Sequence, residues 1–131
     1  LAATIYLAAL GKQGLRQVAE LCYQKAHYAA DRIAQLPGYS LPIQGTFFQE
    51  FVVECPTSPT DINRRLQEKN ILGGLDLSEA FSNVPPSEEG ITVGTSPPHA
   101  ESTNTMLLCV TEMNSRQEID ALVEALSELG S

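Results

Sequence analysis

Few residues of this chain could do chemistry: Lys12, Lys25 and Lys69, the histidines His27 and His99, and the cysteines Cys22, Cys55 and Cys109. A lysine that forms a Schiff base needs a buried pocket lined by its cofactor. Lys25 and Lys69 stand among polar residues of expected helices, and Lys12 in a Gly-flanked turn, so none has that setting. His27, within Gln24-Lys25-Ala26-His27-Tyr28, and His99 have no second His or Cys at ligand spacing. No Asp-His-Ser order accompanies either, and His27 reads as a surface or interface residue. The cysteines are odd in number and far apart, without a CxxC or a Cys/His cluster, which leaves neither a metal site nor a disulfide framework. They read as buried, reduced thiols of a cytoplasmic protein. Glu88 and Glu89 are adjacent, and adjacency does not supply the convergent geometry of catalytic carboxylates. Gly73-Gly74 is the most suggestive backbone feature, because glycine permits positive φ or close approach of a backbone or ligand. No G-x-G-x-x-G or G-K-[ST] helix follows it, so the nucleotide-binding readings fail and a bulge or turn is expected. The sequence thus assigns no catalytic, cofactor-binding or metal-ligating residue.

The elements that would position these groups follow from periodicity. Gly14 to Leu36 carries Leu15, Val18, Ala19, Cys22, Ala26, Ala29, Ala30 and Ile33 at helical spacing, an Ala-rich stripe that allows close packing. Pro37-Gly38 stops it. Phe47 to Cys55 is aromatic and β-branched and reads as a strand. Ser58, Pro59 and Asp61 mark a helix start, with Ser58 as N-cap, that runs through Lys69. Ile71 to Leu77 is a short apolar segment around the double glycine. Met106 to Val110 has no polar residue, the pattern of a central strand covered on both faces. Ser115 to Leu129 is the last helix, opened by an S-x-x-E capping box of Ser115 and Glu118. The order suits an α+β sandwich with a small, mainly antiparallel sheet and helices on one face.

The chain has 131 residues, room for one domain with one core. Charged residues make up 18%, below the ~25% of ordinary soluble domains, which suggests that part of the surface is covered by something else. The net charge of −8 argues against nucleic acid. No apolar run approaches the ~20 residues of a membrane-spanning helix. Residues 1–78 balance seven basic against seven acidic side chains, so the whole excess of negative charge lies in residues 79–131. Ser78 to Thr105 holds four prolines and no Lys or Arg and reads as a mobile loop at about 78–105, long for a compact domain. Leu1 to Leu10 reads as an apolar helix tail without the basic start of a signal peptide, hence as a piece cut from a longer protein.

Several stretches, in order and over nearly the whole chain, resemble the glycine decarboxylase P-protein family. They include Ala3-Thr4-Ile5-Tyr6-Leu7, Gln24-Lys25-Ala26-His27-Tyr28, Phe47-Phe48-Gln49-Glu50-Phe51, Ile71-Leu72-Gly73-Gly74-Leu75-Asp76-Leu77 and Leu107-Leu108-Cys109-Val110-Thr111-Glu112. The last two are the most specific, and their wording is that of subunit 1 of the two-subunit bacterial form. The resemblance implies an aspartate-aminotransferase-like fold dependent on pyridoxal phosphate, with this chain as its small C-terminal domain. Residues 1–10 would be the end of the interdomain helix and residues 11–131 the small domain. The family decarboxylates glycine and passes the aminomethyl group to the lipoyl H-protein. Its Schiff-base lysine would lie on subunit 2, so no pyridoxal phosphate is expected on this fragment. The partners implied are the large domain of the same chain, subunit 2 and the H-protein, in the cytoplasm. Two departures stand out: Gln49 replaces a family Asn, and Val84 to Ser102 looks like an insertion. The alternative is a free-standing, small-molecule-binding regulatory module of ferredoxin-like shape, whose native chain would start near Leu1.

Overall fold

The computed structural model describes residues 1–78 and 104–130. Helix α1 (Ala2–Ile33) contains one non-helical residue, Gly11, at φ 63 and ψ −179, a conformation open essentially to glycine alone. Residues 2–10 therefore form a separate helical segment set at an angle, and Lys12 lies in the helix rather than in a turn. The Ala-rich stripe behaves as its spacing implies: Cys22, Ala26, Ala29, Ala30 and Ile33 are buried. The helix ends three residues before the expected Leu36. Ala34 still donates to the Ala30 carbonyl, then Leu36 closes a tighter turn on Ile33, and Gly38 reverses the chain at φ 80.

Strand β1 (Glu50–Glu54) follows, then α2 (Pro59–Glu68), β2 (Leu75–Asp76), β3 (Thr105–Cys109) and α3 (Arg116–Leu129). The sheet has the order β1-β3-β2, and both pairings are antiparallel. Phe51, Val53, Met106 and Leu108 alternate onto the buried face. Against it lie Ile62 and Leu66 of α2 and Ile119, Leu122, Val123 and Leu126 of α3, together with the α1 stripe. The helices thus cover one face of the sheet, as expected. Helix α2 is otherwise polar, so Ile62 and Leu66, at 1% and 0% exposure, anchor it with ~1.5–3 kcal/mol each.

Four local expectations change. Strand β1 begins at Glu50 instead of Phe47; ahead of it the Phe47 ring and carbonyl are engaged by the His27 ring. Ser58 occupies the N-cap position of α2, yet its side chain makes no capping bond. Its carbonyl accepts from Ile62 instead. Strand β3 is central but covered on one face only: Cys109 is exposed, unlike the buried Cys22 and Cys55. Finally, no residue of the first twenty-one is buried, so residues 1–10 do not pack one side onto this domain's core. The capping box of α3 is complete, with Glu118 N–H donating to Ser115 Oγ at 3.2 Å and Ser115 N–H to Glu118 Oε2 at 2.6 Å. The loop expected at about 78–105, with His99, Glu88, Glu89 and the insertion Val84 to Ser102, falls outside the described residues.

Candidate functional site

Gly73 and Gly74 lie at the edge of the sheet, where β2 meets α2. Neither has positive φ, so turn geometry does not explain them. A Cβ on Gly73 would stand 2.0 Å from Asn63 Oδ1, and one on Gly74 would stand 2.3 Å from the Leu107 carbonyl oxygen. Both glycines are there because helix α2 and strand β3 approach the segment too closely for any side chain. Asn63 locks the contact by donating from Nδ2 to the Gly74 carbonyl at 2.8 Å. Its Oδ1 is buried, has no hydrogen-bond partner among the described residues, and fills the space left by the missing Gly73 side chain. Gly74 N–H points at Met106 Sδ at 3.2 Å.

Beside this contact is an open cleft of about 730 Å³ that includes Thr60, Asn63, Arg64, Gln67 and Gly73 to Asp76 in its walls. Its one buried carboxylate, Asp76, accepts from Thr60 Oγ1 at 2.9 Å and from Ser78 N–H at 2.9 Å. Asp76 therefore fastens α2 to the end of β2. Arg64 pairs with Asp61 at 2.8 Å on the surface. The cleft thus presents amides, a guanidinium and the Thr60 hydroxyl, which is held by the Asp76 carboxylate.

The other residues singled out by type are dispersed and serve the fold. His27 lies against the Phe47 ring, with centroids 4.0 Å apart and planes 6° apart. Its Nε2 is 3.0 Å from the Phe47 carbonyl; a carbonyl only accepts, so Nε2 carries the proton. His27 is a half-buried packing residue that holds the approach to β1. Lys25 donates to the Glu112 carbonyl, and Lys69 pairs with Glu128. Cys22 donates to Glu112 Oε2 at 3.1 Å and accepts from Glu112 N–H at 3.3 Å. Burial first, and the Glu112 bond second, push the Cys22 thiol up, while the thiol's hydrogen bond holds the Glu112 carboxyl below its ordinary range. Burial pushes Cys55 up to about 12, which leaves an inert thiol. Among the described residues no three His, Cys, Asp or Glu side chains gather as a metal site.

Two polar networks were invisible in the sequence. Glu112 with Cys22 and Lys25 ties α1 to the turn after β3. Tyr28 donates to Asp120 Oδ1 at 2.6 Å and accepts from Arg32 at 2.9 Å, and the Arg116 guanidinium lies 4.9 Å from the Tyr28 ring centroid. These join residues 90 or so positions apart, and no local pattern announces such pairs.

No family model matches the chain. Among curated proteins it is 49% identical over 128 residues to a probable glycine dehydrogenase (decarboxylating) subunit 1 of Thermomicrobium roseum, covering 98% of this chain and 25% of that protein. The corresponding protein of Desulforamulus reducens is 46% identical over 129 residues, with the same coverage. The chain thus spans about a quarter of the length of the curated relatives it matches. Among solved structures, an inhibitor-bound glycine decarboxylase (P-protein) of the glycine cleavage system superposes with TM-score 0.70 at 30% identity, over 95% of this chain and 24% of that one. A phosphoserine aminotransferase from Cytophaga hutchinsonii gives TM-score 0.58 at 14% identity, a likeness of fold alone. The fold is therefore that of a part of an aminotransferase-like protein, and the ferredoxin-like regulatory alternative finds no support. Over nearly its whole length, and as its motifs imply, this chain is a relative of glycine dehydrogenase (decarboxylating) subunit 1, about a quarter of whose length it spans, and it has the fold of the matching part of a glycine decarboxylase (P-protein).

Proposed function

We propose that this chain is the small C-terminal domain of a P-protein subunit 1 that decarboxylates glycine together with a second subunit. The observation that carries the proposal is the 49% identity over 98% of the chain to a glycine dehydrogenase subunit 1. In this reading residues 1–10 end the helix that joins the small domain to the large one. Their exposure supports it: Ile5 is 60% and Leu7 50% accessible, surface that the large domain would bury. The Gly11 break aims this segment away from the small domain.

Pyridoxal phosphate would supply the electron sink for losing the glycine carboxyl group. The residues of this chain do not fit that cofactor. Lys25 and Lys69 are tied to Glu112 and Glu128, and the cleft at Gly73-Gly74 offers no lysine. The family resemblance implies that the cofactor's lysine lies on subunit 2, and this domain's task is to shape and close the assembly. The lipoyl H-protein would take the aminomethyl group, in the cytoplasm, where free thiols stay reduced.

The test is exchange of labelled carbon dioxide into the glycine carboxyl group by the full-length polypeptide, co-expressed with its second subunit and supplied with lipoyl carrier. Exchange that needs both polypeptides supports the assignment. Exchange by the second subunit alone, at the full rate, would remove it.

A further inference from the structure

We draw no further inference here: the strongest candidate, the open cleft between helix α2 and the Gly73-Gly74 edge of the sheet, carries none, because Asn63 is committed to the Gly74 carbonyl, Asp76 to Thr60 and Arg64 to Asp61, and nothing in the structure shows what would occupy it.

Discussion

Gly74→Ala is the sharpest test of how this fold is held at its sheet edge. A Cβ at Gly74 would stand 2.3 Å from the Leu107 carbonyl oxygen and 2.5 Å from Met106 Cγ. The first of these is backbone in the central strand and cannot rotate away. The second belongs to a side chain at 1% exposure, so it has no free volume to move into. Relief requires β2 to shift outward, which strains its pairing with β3 and the Asn63 bond to the Gly74 carbonyl. Overpacking of this kind costs about 1–3 kcal/mol, and loss of the Asn63 bond adds about 1 kcal/mol. The expected destabilisation is therefore about 2–4 kcal/mol, a fall in Tm of roughly 6–14 °C for a domain of this size. Gly14→Ala is the control: its Cβ meets only Leu10 side-chain carbons, the nearest at 3.3 Å, and a helix-interior glycine replaced by alanine gains up to about 1 kcal/mol. Urea titration of the 131-residue chain, read by circular dichroism, measures both. A Gly74→Ala chain within 0.5 kcal/mol of the parent would refute the close-approach explanation of the double glycine.

Further outcomes follow from the same geometry. Gly11→Ala should lower the helicity of residues 2–10 and cost about 1–3 kcal/mol of local strain, visible as faster amide exchange before Lys12 with the sheet amides unchanged. Ser115→Ala should cost about 1 kcal/mol by removing half of the α3 capping box. The same box gives a pH signature. The Ser115 backbone bond holds the Glu118 carboxyl below its ordinary 4.5, so its stabilisation is present above that value and is lost as pH falls through the depressed one. Amide protection at the α3 start should drop in that acid window only. Cys55, pushed up to about 12 by burial, should resist alkylation at pH 8 until the chain unfolds, whereas the exposed Cys109 reacts in the isolated domain. That isolated domain should also self-associate through residues 1–10, and polar replacement of Ile5 and Leu7 should raise its monomer fraction in sedimentation.

The elements with a complete local signature were legible in the sequence. Helix α3 carried its capping box and an apolar stripe, and it forms as read. The α1 stripe was equally clear, because alanines at helical spacing need a close neighbour. What sequence could not supply were the partners of polar groups. Phe47 and Phe48 are residues a strand prefers, yet the Phe47 ring and carbonyl are engaged by His27 from another element. Ser58 is an excellent N-cap by type, and its side chain is simply turned elsewhere. Cys109 alternates to the open face only once the register of β3 is fixed by Phe51 and Val53. The double glycine was noticed, but the cause, an asparagine eleven positions from the Gly74 carbonyl it binds, is a tertiary fact.

The central claim is that this domain belongs to a pyridoxal-phosphate enzyme of glycine cleavage while lending it no Schiff-base lysine. The most direct measurement is borohydride reduction of the assembled, cofactor-loaded complex containing the full-length polypeptide, followed by peptide mapping. The account predicts a pyridoxyl-lysine on a peptide outside residues 1–131. A pyridoxyl group on Lys12, Lys25 or Lys69 would contradict it.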